Sequence, residues 1–212
     1  MASHRTIFWL VDAQADFMLP GGKLYVAGAE KIIPNINRLV EVARQGRVLL
    51  ISHGCHHSRN DPEFQAFPPH CIRDTPGARL IPEGMARKFY TVPNEKKHRL
   101  PEDLLNVQQI VLEKQTLDIF DNPHASTIVE RLGQDVEYVV FGVVTEYCVR
   151  LAAKGLLERG HEVAIVKDAI ETLNPEEGRR ALDELKKLGA RLITTDEAIA
   201  AVAKNSSQSA RR

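Results

Sequence analysis

Three side chains in this sequence are of the types that attack a carbonyl carbon: a thiol at Cys148, a carboxylate at Asp12 and an amine at Lys114. A thiolate is a strong nucleophile, and a carboxylate beside it can take the thiol proton and hand it to a leaving group. A second set, Cys55, His56 and His57, opens a Pro-rich stretch that also holds His70, and His53 stands just before it. Thiolates and imidazoles are ligands of divalent metals as well as reactive groups. Each residue also has a plain structural reading. Free cysteine is often a small buried hydrophobe, Asp12 can cap a strand end, Lys114 can be a surface charge, and a His-rich loop can be solvated surface. Residue type alone leaves both readings open.

The elements that would position these groups narrow the choice. Apolar runs rich in β-branched residues at 6–11, 47–52, 109–112, 138–143, 162–166 and 191–194 read as strands buried on both faces, as in a parallel sheet. Helix spacing appears at Ile32, Ile36, Leu39, Val40 and Ala43, then at Ile128, Val129 and Leu132. It recurs at Val149, Ala152, Ala153, Leu156 and Leu157, and at Ala181, Leu182, Leu185 and Leu188, with Gly46, Gly133, Gly160 and Gly189 as stops. The alternation predicts βαβ units and a three-layer α/β/α fold around a central, mainly parallel sheet. Ligands of such sheets bind outside the carboxyl ends of the strands. Asp12 follows the first expected strand, Cys55 to His57 the second, Lys114 the third, and Thr145 leading to Cys148 the fourth. Chemistry-bearing residues thus share one sheet edge. Thr145 is expected to N-cap a helix running to about residue 159, with Cys148 in its first turn. There the helix dipole would favour thiolate, and free N–H groups would hold an oxyanion.

Composition sets the outer bounds. The 212 residues are 43% hydrophobic and 26% charged, with 28 basic and 28 acidic side chains. A formal net charge of zero gives no electrostatic reason for nucleic acid or an anionic membrane as partner. No signal-like segment opens the sequence and no apolar run reaches membrane-span length. Three scattered cysteines argue for a reducing, cytoplasmic setting rather than a disulfide framework. We read residues 1–204 as one domain with a loop-rich insert at about 55–105, and 205–212 as a polar, disordered tail.

VDAQADF (11–17), LEKQTLDIFDNP (112–123) and FGVVTEYCV (141–149) resemble three signature segments of the isochorismatase-like cysteine hydrolases, which include the nicotinamidases. FPPHC (67–71) with TPGA (75–78) resembles a fourth, and the likeness runs from about residue 6 to about residue 200. It implies the Rossmann-like fold of that family and a Cys–Asp–Lys triad. Asp12 would be the general base, Lys114 the charge that favours thiolate and keeps Asp12 ionised, and Cys148 the nucleophile. It further implies an oxyanion hole from the N–H groups of Val144 and Cys148 and a cis peptide at Val143–Val144. The substrate would be lined by Phe17, Phe67, Val143 and Tyr147.

The resemblance also implies a divalent metal, at positions matching Cys55, His57, Glu63 and His70. The family's Asp is replaced here by Cys55, which still completes a sound Zn²⁺ set. His53 and His56 stand near enough to substitute. The implied substrate is a small amide such as nicotinamide. Alternatives are N-carbamoyl or ureide substrates on the same triad, or a non-catalytic small-molecule or metal-binding relative. Homo-oligomers are common in such families, and nothing in the sequence fixes a subunit number.

Overall fold

Strand β1 (Arg5–Val11) is apolar at nearly every position, and Ile7 to Val11 are fully buried because both faces of the strand are covered. Phe8 and Leu10 pack into one core layer, Ile7, Trp9 and Val11 into the other. The structure, a computed structural model, describes residues 5–209. Six further strands join β1: β2 (Leu49–Cys55), β3 (Phe89–Val92), β4 (Gln109–Lys114), β5 (Val136–Gly142), β6 (Glu162–Ile170) and β7 (Arg191–Ile193). Their order is β3-β4-β2-β1-β5-β6-β7, and every pairing is parallel. The chain builds outward from β1 in one direction through β2 to β4, then returns to start β5 on its other side. The strand order therefore reverses between β1 and β5, which is where such folds open a ligand crevice.

The first core layer lies under α1 (Ala15–Met18), α2 (Ala29–Arg44) and α6 (Thr195–Ser209), the second under α3 (Ala125–Leu132), α4 (Arg150–Glu158) and α5 (Pro175–Lys187). The three-layer α/β/α expectation holds. The four glycines expected as stops all lie just past a helix at positive φ. Helix α5 shows how local sequence sets a start. The Asn174 side chain accepts from the N–H groups of Glu176 (3.0 Å) and Glu177 (3.3 Å), Pro175 opens the first turn, and Lys186 and Lys187 close the last.

Several boundaries differ from expectation. Strand β2 continues through His53, Gly54 and Cys55, which do not read as an apolar run yet are all buried. Strand β3 was not foreseen; it is an edge strand whose Phe89 is 51% exposed, so its pattern is weak. Helices α1 and α6 were also missed, and the backbone of α6 continues through Ser209 into the stretch expected to be disordered. Residues 210–212 of that stretch lie outside the described residues. No helix among the described residues is long and apolar enough to cross a membrane.

Candidate active site

At the crevice, the ends of β1 and β5 come together more closely than side chains would allow. A Cβ on Gly142 would stand 2.1 Å from the Val11 carbonyl oxygen, and Gly142 takes φ 118°. Beyond it the Val143–Val144 peptide is cis. The chain then enters a π-helical turn, Thr145–Val149, that leads into α4 and carries Cys148. The Val144 carbonyl closes this turn by accepting from the Tyr147 and Val149 N–H groups, each at 3.1 Å. Thr145 does not N-cap a helix. It lies inside the turn, and both its N–H (2.9 Å) and its hydroxyl (2.7 Å) donate to the Glu171 carbonyl.

Asp12, Lys114 and Cys148 meet in the interior. Lys114, the last residue of β4, is completely buried, and its Nζ lies 3.0 Å from Asp12 Oδ2, 3.4 Å from Cys148 Sγ and 2.8 Å from Cys55 Sγ. Asp12 follows β1 at φ 44°, with its N–H donating to the His53 carbonyl at 3.1 Å. Its carboxylate pairs with the Lys114 ammonium and also accepts a hydrogen bond from the Cys148 thiol, the proton it would have to take.

Burial is the largest single influence and pushes the Asp12 carboxyl up, but the Lys114 ammonium, His53 and the hydrogen bonds from Cys148 and Lys114 together outweigh it and hold the group below the usual carboxylate range. Lys114, despite the cost of burial, is held well above the ordinary amine value by Asp12 and the two sulfurs. Cys148 departs from the sequence expectation. Burial, then the Asp12 charge, drives its thiol well above the usual value, and Lys114 offsets only part of this. Burial and the neighbouring carboxylate thus favour the thiol form of Cys148 over the thiolate.

The second group assembles on the far side of Lys114. The donor atoms of Cys55, His57 and His70 all lie within 4.8 Å of one another and are buried. Glu63 Oε1 stands 3.8 Å from both His57 Nε2 and His70 Nε2. A short parallel bridge between His57 and Ile72 brings the two histidines side by side, with the His57 N–H donating to the Cys71 carbonyl at 3.0 Å. Each imidazole is also oriented from behind. His57 Nδ1 lies 3.1 Å from Asp61 Oδ2, and His70 Nδ1 lies 2.8 Å from the Pro68 carbonyl. Outer partners of this kind commonly orient metal-binding histidines. Among the described residues His57 Nε2 has no hydrogen-bond partner although it is buried, which a cation in the group would remedy. The donor set therefore fits a divalent metal. Neither alternative histidine joins it: His53 packs edge-on to Trp9, and His56 faces a groove with Arg73 and Glu113.

Between the two groups opens a pocket enclosing ≈ 340 Å³ of empty space, part of it open to solvent. Phe17, Phe67, Val144 and Tyr147 line it, together with Leu24, Leu117 and Leu173. Phe67 meets Tyr147 edge to face with ring centroids 5.7 Å apart. Val143, expected at the pocket, is not in its lining; it is completely buried in the core layer next to α2.

A protein-family description, the isochorismatase domain, matches residues 6–98 and 91–197. The chain belongs to the isochorismatase family. Among curated relatives, the nicotinamidase of Escherichia coli (strain K12) is 24% identical over 210 residues, spanning 87% of this chain and 92% of the relative. A probable inactive nicotinamidase of Arabidopsis thaliana is 24% identical over 204 residues, spanning 92% and 94%. Among solved structures, the pyrazinamidase of Pyrococcus horikoshii in complex with zinc superposes with a TM-score of 0.71 at 29% identity, covering 90% of this chain and 99% of that one. The isochorismatase-like α/β fold and a nicotinamidase-like place within this hydrolase family follow from these matches together.

Sequence reasoning missed several supporting residues. The Gln14 side chain clamps the donor loop, donating to the carbonyls of Cys55 and Ala78 and accepting from the Cys55 N–H, all at 2.7 Å. Asp16 accepts from the Cys71 N–H at 2.7 Å and packs where a Cβ on Gly77 would stand 2.2 Å from its carboxylate. Both lie within VDAQADF, so their segment was visible and their roles were not. Leu117 likewise lies within LEKQTLDIFDNP without its role showing, and Leu24 and Leu173 come from loops without periodicity and left no signal.

Proposed function

We propose that this protein is a cysteine amidase that cleaves a small amide, such as nicotinamide, to the carboxylic acid and ammonia. The observation that carries the reading is the position of Lys114 Nζ, in contact with both Asp12 Oδ2 and Cys148 Sγ at the base of an apolar pocket. The family membership and the nicotinamidase relatives support it.

In this mechanism the ionised Asp12 takes the Cys148 proton as the sulfur attacks the amide carbonyl, so thiolate forms only as it is consumed. Lys114 keeps Asp12 ionised beforehand and stabilises the negative charge that moves onto sulfur. The tetrahedral oxyanion is held by the N–H groups of Val144 and Cys148. Its collapse breaks the carbon–nitrogen bond, with the proton on Asp12 passing to the nitrogen, and leaves ammonia and a Cys148 thioester. Water, deprotonated by Asp12, attacks the thioester. The acid departs and the proton returns to sulfur. Phe17, Phe67 and Tyr147 bury the flat or apolar part of the substrate.

Cys55, His57, Glu63 and His70 would hold a divalent cation, and one thiolate with two imidazoles and a carboxylate is a zinc set. When bound, the metal supplies a Lewis-acid anchor for a donor atom of the substrate. Three free thiols support a reducing, cytoplasmic setting.

Ammonia release from nicotinamide and pyrazinamide tests the proposal. We expect turnover by the parent protein and a loss of at least about a thousandfold in Cys148→Ala. Unchanged turnover in that variant would refute the nucleophile. Turnover confined to N-carbamoyl compounds would move the substrate class and keep the triad. No hydrolysis of any amide would leave the reading of a non-catalytic binding protein.

A further inference from the structure

Glu146 lies in the π-helical turn two residues before Cys148, is 6% exposed, and spends both carboxylate oxygens on another loop. Oε1 accepts from the N–H groups of Leu173 (3.0 Å) and Asn174 (2.8 Å), and Oε2 accepts from the Thr172 hydroxyl at 2.5 Å. With the two Thr145 bonds to the Glu171 carbonyl, five hydrogen bonds fasten loop 171–174 to the turn that carries the thiol. A buried carboxylate with this many donors fixes geometry strongly, because any donor it loses leaves charge unpaired in the interior. What the loop presents is Leu173, which is 40% exposed yet lines the pocket beside Cys148. Asp16 holds the opposite rim in a similar way: its carboxylate accepts from the Lys23 N–H at 3.1 Å and its carbonyl from the Leu24 N–H at 3.2 Å.

We propose that Leu173 is a specificity-determining residue of this pocket and that Glu146 is its positioning residue. Together they form a lip, fixed relative to the Cys148 sulfur, that selects substrates whose non-reacting part is apolar. The proposal deepens the amidase reading and rests on it. A half-exposed leucine at a pocket mouth gains burial only when a ligand fills the space beneath it. A ring or branched alkyl group supplies that burial. A one- or two-carbon amide does not reach the lip, and a polar substituent there loses water without gaining a partner.

The test compares Leu173→Ala and Glu146→Gln in the full-length protein, with aromatic amides (nicotinamide, pyrazinamide, benzamide) against acetamide. Leu173→Ala is expected to raise KM for the aromatic amides about tenfold, with a smaller change in kcat, and to leave KM for acetamide nearly the same. Glu146→Gln should shift the same ratio in the same direction and by less, whereas general misfolding would lower kcat for all amides alike. An unchanged aromatic-to-acetamide ratio of kcat/KM in Leu173→Ala overturns the proposal. Calorimetry on Cys148→Ala, with and without Leu173→Ala, reads the lip without turnover. Weaker benzamide binding in the double variant supports it, and equal binding overturns it. If the parent protein hydrolyses no amide, the amidase reading fails by itself, and the binding comparison still decides the role of the lip.

Discussion

The two reactive groups of this site share one lysine and are built in opposite ways. Asp12 and Lys114 sit at the carboxyl ends of β1 and β4, which flank β2, with Cys148 in the turn just beyond β5. All three are buried and already in mutual contact. The metal donors have only Cys55 on a strand. His57, Glu63 and His70 lie on segment 56–71, outside the strands, with Gln14 holding Cys55 just before it and Asp16 holding Cys71 at its end, and Glu63 reaches no closer than 3.8 Å to the imidazoles. The triad sets charge against counter-charge, with Lys114 Nζ 3.0 Å from Asp12 Oδ2, whereas the donor group gathers a thiol, two imidazoles and a carboxylate whose closest carboxylate–imidazole approach is 3.8 Å. A site assembled on strand ends is organised before its ligand arrives; one assembled on a loop needs the ligand to finish it.

The largest effect should come from breaking the self-sufficient half. Lys114→Met keeps the volume and removes the charge, leaving Asp12 ionised and unpaired in the interior. Loss of one partner of a buried ion pair costs about 3–5 kcal/mol. We expect a matching fall in the urea midpoint together with loss of amide hydrolysis. Asp12→Asn made in addition should recover part of the stability and none of the activity, because no uncompensated charge remains. A single variant as stable as the parent would mean that the pair is not the anchor that its burial implies.

What the sequence disclosed follows the same division. Asp12, Lys114 and Cys148 were legible because parallel strands announce themselves by apolar runs and their carboxyl ends share one edge. The upward shift of the Cys148 thiol was not legible, since helix position argued for thiolate while burial first and the Asp12 charge second act the other way, and neither can be read from spacing. The donors were reached through resemblance, and the failure of His53, on β2, and His56, just past it, to join them depended on side-chain direction, which no spacing in a His-rich loop reveals. Val143 and Val144 are adjacent and chemically alike, so choosing which of them faces the pocket required the backbone path after Gly142. Glu146 reads as an ordinary surface acid beside the nucleophile until loop 171–174 is seen to close on it.

A smaller effect separates the halves by adding metal. Zinc at a hundredfold excess over its dissociation constant stabilises the folded state by about 2.7 kcal/mol. We expect the melting temperature of metal-stripped protein to rise on adding zinc, and the rise to be lost or reduced in Cys55→Ser and His70→Asn. Cys148→Ala should keep the rise, because its sulfur touches Lys114 and not the donors. If Cys148→Ala abolished the zinc response while Cys55→Ser kept it, the two groups would have exchanged roles and the comparison would fail.

The smallest effect is that of pH on the metal-free protein, and its sign differs between the halves. Asp12 is held below its ordinary value of 3.8, so its contribution to stability is complete above that pH and is lost only as pH falls further, through the folded value. Lys114 is held above its ordinary value of 10.5, so its contribution is complete below that pH and is lost as pH rises beyond it. Across the neutral range the ion pair therefore contributes no slope. His70 behaves otherwise: burial pulls it below its ordinary value of 6.5, against the opposing Pro68 hydrogen bond, so the fold favours its neutral form. Its contribution is complete above pH 6.5 and is lost as pH falls through the lower folded value. His53, pushed down to about 3 by burial, acts with the same sign. The urea midpoint should thus fall between about pH 7.5 and pH 5.5. That fall should shrink in His70→Asn, with His53, His56 and His161, which burial also holds low, supplying the rest, and persist in Asp12→Asn. A fall that disappeared in Asp12→Asn instead would place the acid-sensitive charge in the triad, and the loop-borne half would no longer be the one that responds to protons.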